Sequence, residues 1–218
     1  MRKIYILFAL ATLTACGNGT NIDANKTPKT DTPVAGPATA KKETPPPQPA
    51  MDSATKARKY MEYMTPGEMH KMLASQVGVW TAEMTMWEDE KSPAQKNTGT
   101  CENKMILGGR YLQSTNRSKM MGMDFEGIGT LAYDNGTKKF INTWMDNMGT
   151  GVMIMEGQYD TATHTLSLKG TWDDPSKGKM DVREVCKYPD SKHQEMEMWG
   201  NVAGGKEYKW MEMKMVKK

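Results

Sequence analysis

The chain has 218 residues, 22 of them methionine, and a net charge of +3 shared between 29 basic and 26 acidic side chains. That balance of signs excludes a basic nucleic-acid-binding surface. No Ser/His/Asp order, paired-carboxylate spacing, glycine-rich phosphate loop or cysteine cluster stands out, so no catalytic residue is assigned and no cofactor is expected.

Residues 1–15 read as a lipoprotein signal peptide. Arg2 and Lys3 precede a short apolar run from Ile4 to Leu13, about half the roughly 20 residues that a membrane-spanning helix needs. The following Leu13-Thr14-Ala15-Cys16 resembles the bacterial lipobox, which implies cleavage before Cys16 and its acylation, as by palmitate. More than one acyl chain gives stable anchoring, so the membrane is the expected partner. Gly17 does not match the inner-membrane retention signal of the best-known sorting systems, and the expected address is the outer membrane of a bacterial cell envelope. Residues 16–52 are rich in Thr, Pro, Ala and Lys and end near Pro45-Pro46-Pro47. They hold too few apolar groups to offset the entropy of ordering and read as a solvated tether.

Residues 53–218 form the expected folded domain, long enough for one sizeable core. Residues 53–64 suggest a short helix with Tyr60, Met61 and Met64 on one side. Thr65-Pro66-Gly67-Glu68 reads as a helix start, with Thr65 as N-cap and Glu68 closing a capping box. Met69, Met72, Leu73 and Gln76 follow at helical spacing, and the helix stops near Gly78.

Beyond Gly78 the apolar period becomes two. Candidate strands are Val79–Glu88, Thr98–Ile106, Arg110–Arg117, Gly127–Tyr133, Lys138–Asp146, Gly151–Tyr159, Thr165–Trp172, Met180–Tyr188, His193–Trp199 and Glu207–Val216. Short turns between them favour an up-and-down meander. An open sheet of that length would leave two edges prone to aggregation, so the expected fold is mainly β: a single antiparallel barrel of about ten strands with a short N-terminal helix covering one end.

The segment 125–160 fixes the expected register. With Asn135-Gly136 as a two-residue type I′ loop, Leu131 faces Phe140, Gly129 faces Asn142 and Gly127 faces Trp144. The next turn, 147–150, sets Trp144 against Met153, Asn142 against Met155 and Phe140 against Gly157. One face then carries Leu131, Phe140, Trp144, Met153, Met155 and Tyr159 and is expected to be the interior; the Ile-rich opposite face is the alternative.

The pieces His70–Leu73, Gly78-Val79-Trp80, Glu102–Gln113, Phe125–Asn135 and Trp144–Gly151 resemble a bacterial family, domain of unknown function 1579, over about residues 67–216. The resemblance implies a secreted or lipid-anchored, lipocalin-like β-barrel and supplies no catalytic residues. Gly78-x-Trp80 also resembles the opening of the wider lipocalin superfamily, where the Trp closes one barrel end against a basic residue of the last strand. Lys209 or Lys214 would fill that role.

Arg110, Asn142, Trp144 and Asp146, with Met153 and Met155, are the candidate cavity lining, since ligand sites are mostly apolar with a few placed polar groups. The Met pairs two apart (84/86, 121/123, 153/155, 196/198, 211/213/215) suit a Met-lined core or cavity. They also suit a Cu(I) site, for which no Cys or His stands beside them in sequence, or an oxidant sink. His193 beside Met196 is a note toward haem binding. Cys101 and Cys186 fall on non-neighbouring strands and are expected as separate thiols. The leading expectation is a barrel that binds a small apolar or amphipathic ligand. The rivals are a filled structural or interaction module and, third, an enzyme or a Cu(I)/haem protein.

Overall fold

The computed structural model describes residues 51–202 and 205–218. The signal peptide, Cys16 and nearly all of the tether lie outside the described residues. Two helices come first, α1 (Ser53–Met64) and α2 (Glu68–Ser75). Ten strands follow: β1 (Gly78–Met86), β2 (Gln95–Ile106), β3 (Tyr111–Met120), β4 (Met123–Asp134), β5 (Lys139–Asp146), β6 (Met153–Asp160), β7 (Thr165–Asp174), β8 (Gly178–Lys187), β9 (His193–Val202) and β10 (Tyr208–Lys217). Each pairs antiparallel with its neighbours in sequence, and β1 returns to pair with β10, so the barrel is closed. Closure leaves no strand edge exposed.

The interior is the expected face. Phe140, Met155, Leu166 and Leu168 are buried on it, while Ile154 and Val152 point outward and stay exposed. The second hairpin has the expected register, with Trp144 opposite Met153 and Phe140 opposite Gly157. The first hairpin is shifted by two residues: Gly129 faces Trp144, Leu131 faces Asn142 and Gly127 faces Asp146. Its loop is Asn135–Lys138 and not the two-residue Asn135-Gly136. Asp134 organises it, accepting from the Gly136 N–H (2.7 Å) and the Thr137 hydroxyl (2.8 Å), while the Lys138 N–H reaches the Asp134 carbonyl and Lys138 takes the positive φ of 57°. A shift of two preserves the side-chain faces, which is why the interior set survives the error.

Asn135 is spent elsewhere. Its side-chain amide donates to the carbonyls of Tyr63 (3.0 Å) and Thr65 (2.8 Å) and so ties the end of α1 to the barrel. Thr65 accordingly ends α1 and does not start α2. The N-cap of α2 is Gly67, whose N–H donates to the His70 ring (Nδ1, 3.0 Å) in place of the expected Glu68 capping box.

α2 covers one end of the barrel with Leu73 and His70 buried. Trp80 is fully buried below it, and its indole donates to the Gln76 carbonyl (3.0 Å). That carbonyl also accepts from Asn103 (3.1 Å), and the Gln76 side chain accepts from Gln194 (2.6 Å). Lys217 supplies the cation over Trp80, with Nζ 5.3 Å from the ring centre and 3.2 Å from the Ser75 carbonyl. The expected Lys209 and Lys214 are not that cation, because the register sets Lys217 directly opposite Trp80.

Gly157 lets two strands approach: a Cβ there would lie 1.8 Å from the Ser167 carbonyl oxygen and 2.9 Å from the Leu168 Cα. Backbone atoms cannot step aside without breaking strand pairing. Gly157→Ala is expected to destabilise the barrel by about 3 kcal/mol or more, read as a drop in the urea midpoint; an unchanged midpoint contradicts this packing.

Candidate ligand-binding site

Ten strands enclose a wider interior than the eight that side chains alone can fill. Much of the wall on β2–β4 is small: Gly99, Ser114, Asn116, Ser118, Gly127 and Gly129 share the inward register with buried Cys101 and Asn103. Trp144 leans into the space over Gly127, where a Cβ would meet its ring. On the far wall Trp210 comes close to Gly200 in the same way, 6.3 Å from the ring of Trp172. Among the described residues its indole N–H has no partner, and neither has the Ser118 hydroxyl.

The interior is not solid. Cys186, at an inward position of β8, keeps accessible surface. The same partial access holds for Ser114, Asn116, Met153, Met196 and Met213, all on inward positions of the strands. A side chain that points inward and is still accessible borders open space inside the barrel.

The most unusual group beside it is Glu184. Its carboxylate is buried and accepts from the Cys186 thiol (3.1 Å) and, across the barrel, from the Asn142 amide (3.5 Å). Neither partner is a cation. Burial therefore pushes the Glu184 carboxyl upward, more than those two contacts draw it back. Burial, then the nearby Glu184, likewise raises the Cys186 thiol, and the buried Tyr188 phenol is raised as well. Buried acids without a charge partner shift in this way.

The candidate residues divide. Asn142, Trp144, Met153 and Met155 lie together on the inner face of β5 and β6. Asp146 sits on the same face nearer the rim and accepts from the Trp144 indole (2.8 Å). Arg110 does not join them: it lies in the exposed turn after β2, where its guanidinium donates to the Leu107 and Met64 carbonyls and braces α1. The haem note also fails. His193 is exposed and bonded to Asp190 (2.8 Å), while Met196, three residues on along a strand, faces inward. Cys101 and Cys186 are separate free thiols, as expected. Sequence reasoning missed Glu184. Its signal was parity: it stands in the inward series Met180, Val182, Glu184, Cys186, where a charged residue is out of place.

A pocket of about 470 Å³ lies outside the barrel wall, lined in part by Trp87, Trp199 and Lys209. Its Trp199 ring is already engaged by Arg183 (5.0 Å) and Lys209 (5.9 Å).

The family model described as "Protein of unknown function (DUF1579)" matches residues 65–217. The chain belongs to this family. In fold, this DUF1579 barrel is similar to Rv2717c from M. tuberculosis, with 11% identity and a TM-score of 0.53, covering 71% of this chain and 99% of that one. It is also similar to the S-type phycobiliprotein lyase CPES from Guillardia theta, with 9% identity and a TM-score of 0.50, covering 73% and 97%. At these identities the likeness is one of fold. Comparison with curated proteins by sequence finds no match.

The Glu184 shift has a defined sign. Its carboxyl holds its proton in the folded DUF1579 barrel above the ordinary value of 4.5 at which the unfolded chain releases it. The folded state then binds more protons than the unfolded one, so stability falls as pH rises above that value. Glu184→Gln removes this dependence: between about pH 4 and about pH 8 the difference in urea midpoint is expected to move in favour of the variant. A pH-independent difference would show that the carboxyl titrates normally.

Proposed function

We propose that this protein is a lipid-anchored component of the bacterial cell envelope whose barrel takes up a small apolar or amphipathic molecule. The observation that carries the reading is the accessible surface kept by side chains at inward strand positions, among them Ser114, Asn116, Cys186 and Met196. A filled core, the rival reading, would leave none there. The surroundings have the composition of a ligand site: thioethers and indoles make the apolar wall, and a few polar groups (Asn142, Asn116, the Trp210 N–H) can orient a guest. Methionine adapts to guests of varied shape because its side chain is unbranched and flexible. The likeness to a phycobiliprotein lyase is consistent with a barrel that handles a ligand and assigns none. Membrane attachment rests on the lipobox-like run ending at Cys16.

A neutral naphthylamine dye tests the barrel. Its emission is expected to rise and saturate on titration with the protein. Asn116→Phe, which places a ring in the hollow from the inner face of β3, is expected to weaken dye binding at least about tenfold while the far-ultraviolet circular dichroism stays the same. Equal dye binding by the two proteins would sink the reading. For the anchor, Cys16→Ser is expected to move the protein from the membrane fraction to the soluble one and to abolish incorporation of labelled palmitate.

A further inference from the structure

The methionines become informative once their partners across the sheet are known. Cys186 on β8 stands directly opposite Met196 on β9, Met196 opposite Met213 on β10, and Met213 opposite Met84 on β1. One thiol and three thioethers thus form a row across four adjacent strands. A second row runs beside it, Met198 opposite Met211 opposite Met86. Directly opposed residues have Cβ atoms about 4.5–5.5 Å apart, so Met196 neighbours both Cys186 and Met213, and the flexible methionine side chains can turn toward one ion between them. Methionines two apart along one strand are farther from each other than these cross-strand neighbours. All four members of the first row face inward and keep partial solvent access, so an ion arriving through the hollow can reach them.

The chemistry of this set is soft. Thiolate and thioether sulfurs select Cu(I) over harder ions. Among the described residues no group of three or more His, Cys, Asp or Glu is placed to hold a metal, which leaves little here for zinc or for an oxygen-liganded ion. We propose that Cys186, Met196 and Met213 form an interior site for a soft monovalent metal ion, Cu(I). The binding step is a proton exchange: the Cys186 S–H bond is lost, a Cu–S bond forms, and one proton leaves for solvent as one Cu(I) enters. Copper enters already reduced, so no electron moves. Thiolate and Cu(I) together are neutral, which suits an enclosed setting.

A core role and a metal role for these methionines predict different results, since Met→Leu nearly conserves volume and costs little packing energy but removes the sulfur. The test uses the reduced full chain carrying Cys16→Ser, so that no thiol outside the barrel competes, titrated without oxygen against a Cu(I) complex of bathocuproine disulfonate. The chain is expected to withdraw one Cu(I), with a first shell of sulfur only by X-ray absorption. Cys186→Ser and the double variant Met196→Leu/Met213→Leu are each expected to lower affinity at least tenfold at an unchanged urea midpoint, whereas Met148→Leu, in an exposed turn, has no effect. Failure to withdraw Cu(I) overturns the proposal, as does undiminished binding by the Cys186 and double variants. Dye binding to the hollow is read separately, so either result leaves the small-ligand reading to its own test.

Discussion

Trp80 is where the barrel is made to close. Its strand must pair with β2 on one side and with β10, at the far end of the chain, on the other. The buried indole is held from three directions: by the Gln76 carbonyl at the end of α2, by Lys217 over its ring, and by the strand pairing itself. Asn103 and Gln194, from β2 and β9, converge on the same Gln76. One junction residue therefore ties the covering helix to both sides of the seam. Polar groups buried this close together must all find partners, and these do, which specifies the closed arrangement over a slipped one.

Closure at that end leaves a different problem in the middle. Ten strands make a circumference that the available side chains do not fill, because the wall on β2–β4 is built of Gly, Ser and Asn. Large rings compensate in places: Trp144 lies over Gly127, and Phe140 packs against Tyr133 at 4.9 Å. The remaining space is bordered by sulfur, by indole and by one carboxyl that has no cation to pair with. Glu184 is buried there, and its partners, Cys186 and Asn142, carry no positive charge.

The legible and illegible parts of this protein separate along one line. The ten period-two runs matched ten strands, and the inward face of β4–β6 followed from alternation alone. The Asn135-Gly136 pair was misleading because Asp134 and Asn135 both had other work, one inside the loop and the other holding α1. Thr65 was misread for a related reason: with α1 ending immediately before it, the residue caps the helix behind it and not the helix ahead. Arg110 looked like a lining residue from its place beside a strand, and the turn turned it outward toward α1.

What the sequence determined by itself is local: where strands start and stop, which residues of a strand share a face, and that successive strands pair as a meander. These follow from steric preferences and from alternation, which act over a few residues. Only the tertiary structure decided which inward groups meet. Asn142 and Glu184 touch across a chord of the barrel, and Met84 meets Met213 only because the first strand closes on the last. Contacts of that kind depend on the number of strands and on the register accumulated around the whole ring, and no short stretch of chain carries that information.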